Sequence, residues 1–63
     1  MSKEIPLAVQ IGELERELML RERVYFARVR AGKMKQRDAD TQTSIMREVL
    51  ATLRTLREQE LKK

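Results

Sequence analysis

The sequence predicts an all-α protein, a single antiparallel two-helix hairpin that dimerises into a four-helix bundle. Three observations lead there. Two stripes step by three or four residues, Leu7, Ile11, Leu14, Leu18, Glu22, Tyr25 and Val29 in the first half, then Ala39, Gln42, Met46, Val49, Leu53, Leu56 and Glu60 in the second. That spacing marks one face of an α-helix. Paired head to tail, from Leu7 with Glu60 to Val29 with Ala39, the residue numbers total 67 or 68 in all seven pairs. A constant total is the register of an antiparallel pair folded about Gly32. Finally, Met19, Leu20, Val24 and Phe26 fall outside the first stripe when it is projected at about 100° per residue. A helix that is apolar on more than one side is covered on more than one side.

Helix one is expected over residues 6–31. Pro6 suits the first helical turn, where its missing N–H would be unpaired in any case. Gly12 inside the helix costs about 1 kcal/mol relative to Ala; it is either a tolerated weakness or a place where another helix backbone comes close. Gly32 stands where a left-handed residue ends a helix, and Met34 can fold back onto the last turn as the apolar contact of a Schellman motif. Residues 32–35 form the connector.

Helix two is expected over residues 36–61. Lys35 is a poor N-cap compared with Ser, Thr or Asp. Asp38 and Asp40 near the start, and Lys62 and Lys63 at the end, complement the helix dipole. Met46, Val49, Leu50, Leu53 and Leu56 cover one side, whereas Arg47, Glu48, Ala51, Arg54, Thr55 and Glu58 lie away from it or on its flanks. At about 1.5 Å per residue each arm is roughly 37 Å long.

Composition removes most chemistry. The chain has 63 residues, no Cys and no His, so residues 1–63 are read as one unit held by packing, without disulfides, zinc sites or a Ser-His triad. Carboxylates are plentiful, but on polar helix faces water keeps their pKa values ordinary. No enzyme, cofactor, metal site or small-molecule substrate is expected. No apolar run reaches the eighteen or so residues of a membrane span, and the first six residues lack the apolar core of a secretory signal. The expected location is the cytoplasm, with no membrane partner.

What remains is surface. Met19, Leu20, Val24 and Phe26, with Leu50 or Ile45, could complete the shared core of a homodimer, or form a face for a foreign protein; one part can serve each purpose. Tyr25 and Gln42 are paired by the register, so they either hydrogen-bond across the seam or leave the phenol hydroxyl at its edge. Charge is also uneven. Between positions 21 and 37 there are seven basic residues, Arg21, Arg23, Arg28, Arg30, Lys33, Lys35 and Arg37, against Glu22 alone. This basic bend is a solvated face, a site for an acidic protein, or a phosphate-binding site using Arg28, Arg30, Lys33, Lys35 and Arg37. Phe26 is the one ring free to stack on a base, which makes a weak platform.

The run Glu17-Leu18-Met19-Leu20-Arg21-Glu22-Arg23-Val24-Tyr25, then Val29, Gly32-Lys33-Met34 and Ile45-Met46-Arg47-Glu48-Val49-Leu50-Ala51-Thr52-Leu53, resembles short proteins encoded by Mu-like tailed phages and prophages. Members read as an R-E-R-V-Y run, a Gly-bearing turn and an M-x-x-V-L-x-T-L helix, and they include an anti-activator that disables a host quorum-sensing regulator as a helical-hairpin dimer. The resemblance implies a small phage protein that binds a host protein in the host cytoplasm and alters its activity. It does not carry over the target, because Phe26-Ala27-Arg28 stands where members often have Trp, and Lys35 where they often have Thr or Ser.

The first functional expectation is therefore a non-enzymatic interaction protein that inhibits or modulates a host protein through Met19, Leu20, Arg23, Phe26 and Arg30. The alternative is a nucleic-acid-binding hairpin dimer using the basic bend. A structural or assembly accessory of the virion is a third possibility.

Overall fold

The computed structural model describes residues 4–62. Met1 to Lys3, read above for a signal, and Lys63, read as a helix-end cation, lie outside the described residues. Two helices, α1 (Leu7–Arg30) and α2 (Gln36–Leu61), pack against each other as an antiparallel hairpin. The molecule measures 48 × 24 × 16 Å, the narrow rod that two long arms require.

The ends of α1 show how sequence sets local structure. Pro6 is not in the first turn as expected but is the N-cap, with φ −57° and ψ 147°. Its ring fixes φ at a value common to both positions, so ψ alone decides. The Pro6 carbonyl accepts from the N–H groups of Val9 and Gln10 at 3.0 and 3.1 Å, and the Gln10 side-chain amide donates back to the Ile5 carbonyl at 2.7 Å. At the other end Gly32 has φ +74°. Its N–H donates to Val29 at 3.1 Å, and the Lys33 N–H donates to Arg28 at 2.8 Å. Those two bonds are the Schellman pattern, satisfying two carbonyls that the helix end would leave without partners. Met34 is half-buried beyond them.

Helix α2 begins at Gln36 as expected, with Lys35 extended at its N-cap and making no side-chain capping bond. Asp38 in the first turn complements the helix dipole, and within that turn the Gln36 side-chain amide donates to Asp40 at 2.9 Å.

On α1 the seam follows the expected stripe. Ile11 and Leu18 are buried, and Leu7, Leu14, Glu22, Tyr25 and Val29 are half-buried. On α2 Ala39, Met46 and Leu53 lie in the seam as expected, but the helix is rotated by about half a residue step, so that Thr43 and Leu50 replace Gln42 and Val49. Ala39, Thr43 and Leu50 are buried, with Met46 and Leu53 half-buried, while Val49 and Leu56 remain 46% and 45% exposed and Gln42 is exposed. The helix carries two adjacent apolar stripes, and only one can face α1. The observed rotation seats Leu50 against Ile11 and Leu18 and brings Arg47 and Arg54 into ion pairs with Glu22 and Glu15. In both ion pairs the residue numbers total 69, one more than the seam register, as expected for contacts on its flank.

Thr43 takes the place expected for Gln42. Its hydroxyl donates within its own helix to Ala39 and Asp40 at 3.0 and 3.1 Å, so a polar residue is buried without needing a partner on α1. No Tyr25–Gln42 hydrogen bond forms; the Tyr25 ring lines the seam instead. Burial is shallow throughout, since even Ala39 and Leu50 keep 5% exposure. Two helices cannot surround a side chain.

Candidate interaction surface

Each helix presents an exposed stripe beside the seam, and the two stripes lie on opposite sides of the hairpin. On α1, Met19 and Phe26 are seven residues apart, so they lie within about 20° of one another around the axis and about 10.5 Å apart along it. Arg23 and Arg30 repeat the same step. All four are exposed, Met19 by 58% and Phe26 by 64%. The Arg30 guanidinium sits over the Phe26 ring, 5.7 Å from its centroid, an attraction worth about 0.5–1 kcal/mol at an exposed site. Leu20, 43% exposed, sits about 60° beyond Arg23 at the edge of this stripe, and Val24 faces about 160° away from Phe26. The apolar residues of α1 outside the seam are thus divided between two sides.

Sequence reading missed two members of the stripe. Arg16 precedes Arg23 by seven, and Gly12 precedes Met19 by seven. A Cβ built on Gly12 meets nothing within 4 Å, so no close approach within this chain calls for glycine there. The signal that could have found both is a period of seven along the outer face of α1.

Ion pairing divides the arginines into two sets. Arg16 pairs with Glu13, and Arg21 donates to Glu17 at 3.3 Å. Both guanidinium pKa values lie above the ordinary one, chiefly through those carboxylate hydrogen bonds, with the Tyr25 hydroxyl a second cause for Arg21. Arg47 and Arg54 tie α2 to Glu22 and Glu15. Among the described residues no ion pair involves Arg23 or Arg30.

On α2 the second stripe is Ile45, Val49, Thr52 and Leu56, stepping by four, three and four. It contains no charge, and its three apolar members are 55%, 46% and 45% exposed. Helical projection places it on the side of the hairpin away from the Arg47 and Arg54 ion pairs, the side to which Val24 also turns.

The basic bend is less concentrated than its sequence suggests. Arg28, Arg30, Lys33, Lys35 and Arg37 are all exposed, but Arg28 and Arg30 project about 160° apart around α1. The five therefore surround the bend without converging on one face. Shallow open depressions occur along the rod, one of them between Glu22, Phe26, Gln36, Asp40 and Arg47. Among the described residues no group of three or more His, Cys, Asp or Glu is arranged to hold a metal, and no helix is long and apolar enough to cross a membrane.

Comparison with protein-family models, curated proteins and solved structures finds no match to this chain.

Proposed function

We propose that this chain is a non-enzymatic, phage-encoded interaction protein that acts in the host cytoplasm, where a homodimer of helical hairpins binds a host protein and inhibits or modulates it. The observation that carries this reading is the pair of opposed stripes. One is apolar and uncharged, and the other sets two large exposed apolar side chains, Met19 and Phe26, beside arginines. The uncharged stripe Ile45, Val49, Thr52 and Leu56 joins two copies into a four-helix bundle, and the basic stripe Met19, Arg23, Phe26 and Arg30, edged by Leu20, meets the host protein.

Surface area supports the dimer. A compact monomer of 7.5 kDa exposes about 4,200 Å² by the usual size scaling, whereas this hairpin exposes 5551 Å². The difference of about 1,300 Å² exceeds the roughly 800 Å² that each partner buries in a standard interface. Aromatic and arginine side chains commonly anchor such interfaces, and Phe26 with Arg30 over its ring is one preassembled anchor.

Affinity capture of the tagged protein from host extract, with and without nuclease, tests the reading. A stoichiometric host protein that survives nuclease, and is lost when Phe26 and Arg30 are both replaced by Ala, is the expected result. Capture of nucleic acid alone, lost with nuclease or salt, would overturn it. The alternative reading, a nucleic-acid-binding dimer using Arg28, Arg30, Lys33, Lys35 and Arg37, is favoured by the exposure of all five cations, and it predicts affinity that falls steeply with salt.

A further inference from the structure

We infer that the partner segment seated on α1 is an acidic amphipathic α-helix whose carboxylates repeat every seven residues. The inference rests on the interaction-protein reading and specifies its partner. Gly12, Met19 and Phe26 form one line along α1, and Arg16, Arg23 and Arg30 form a second line beside it, each stepping by seven. Two helices that wind gently about one another stay in contact over several turns when the contact residues recur every seven. A β-strand or an irregular loop would not present groups every 10.5 Å or so along a helix axis.

The chemistry of the two lines fixes that of the partner. The first line changes from no side chain at Gly12 to Met19 and then Phe26, so a partner helix can approach most closely at the Gly12 end. Open space where a Cβ would stand at Gly12 leaves room for that approach, which nothing within the hairpin uses. The second line carries positive charge. Neither Arg23 nor Arg30 is ion-paired among the described residues; of the acids on this side, Glu15 and Glu22 are held by Arg54 and Arg47, and Asp40 accepts from the Gln36 amide. The net demand is for carboxylates facing Arg23 and Arg30, beside apolar residues facing Met19 and Phe26. A nucleic-acid backbone would satisfy the arginines but leave two large apolar side chains against phosphate and water. A second copy of this helix would place the arginine lines near each other.

The test uses the full-length chain and three fluorescent probes. One is a helical peptide of about 21 residues, three heptads, with Leu at two positions of the heptad and Glu flanking them. The second has the same composition with Glu moved to the opposite face, and the third is a short DNA duplex. The expected result is that the first peptide binds at least about tenfold more tightly than the second. Arg23→Glu with Arg30→Glu should abolish that binding without loss of helicity or change in oligomeric state. The same double variant should gain affinity for a peptide in which those Glu residues are Arg, a reversal that a folding defect cannot produce. Equal binding of the two peptides, binding of DNA alone, or no binding by any probe overturns the inference. If a host protein is still captured by the Arg23→Glu, Arg30→Glu variant, the inference fails while the interaction-protein reading stands; if no host protein is captured by the unaltered chain, that reading fails as well.

Discussion

Gly32 and Gly12 are the same residue type in opposite circumstances. At φ +74° a Cβ at Gly32 would meet the following carbonyl, so Gly32→Ala should destabilise the hairpin by about 1 kcal/mol, measured by urea unfolding. Gly12 lies within a regular helix with open space about it. Gly12→Ala should therefore stabilise by about 0.5–1 kcal/mol in the same assay, and it should weaken binding of the acidic helical peptide, because a methyl then occupies the point of closest approach. Titration adds little at this scale. The chain has no His, and the raised arginine values of Arg16 and Arg21 mean that their ion-pair contribution is complete below the ordinary arginine pKa and fades only as pH rises through the still higher folded value. Melting temperature should stay flat between about pH 6 and pH 9, and a clear transition in that window would contradict this account.

The two helices differ in how firmly sequence fixes their rotation. On α1 the seam has no rival stripe of comparable width, so Ile11 and Leu18 are buried where the period of three and four puts them. On α2, Val49 and Leu50 are adjacent and both head usable stripes. The rotation keeps Ala39, Met46 and Leu53 at the seam, exchanges Gln42 for Thr43 and Val49 for Leu50, and sets Arg47 and Arg54 opposite Glu22 and Glu15. Each exposed ion pair contributes only about 0.2–1 kcal/mol, but two of them on one flank bias a choice between packings of similar apolar content. Leu50→Ala should lower stability by about 2–4 kcal/mol through the cavity it leaves. Val49→Ala should have little effect on the packing of one hairpin and act mainly through association between hairpins. Comparable losses of intramolecular stability for both substitutions, measured in a monomeric background, would show that the seam is seated differently.

For the whole molecule the central quantity is exposed apolar surface. Among the described residues no side chain is fully enclosed, because each helix has a single neighbour. Stability should therefore depend on concentration: the melting temperature should rise with protein concentration, and sedimentation equilibrium should report a dimer. Ile45→Glu with Val49→Glu should yield a less stable monomer, whereas Met19→Glu with Phe26→Glu should leave the dimer intact while abolishing capture of the host protein. The opposite pattern would exchange the roles of the two stripes. The basic bend enters here as well. Its cations surround the end of the rod, a geometry suited to keeping that end hydrated, and phosphate contact through it should lose affinity sharply between low and physiological salt.

Local rules sufficed to read two helices, their lengths to within a residue at each end, the left-handed turn at Gly32 and the antiparallel register, because helix periodicity and end chemistry are written in residues near one another in sequence. The surface residues Met19, Leu20, Arg23, Phe26 and Arg30 were legible as the surplus left outside the seam. The choice of Leu50 over Val49 was not, nor was which outer face of α2 is left uncovered. Both depend on the rotation of one helix against the other, which is set by side chains some 25 to 39 residues apart in sequence whose competing packings differ by amounts of the order of 1 kcal/mol, and only the assembled pair of helices decides between them.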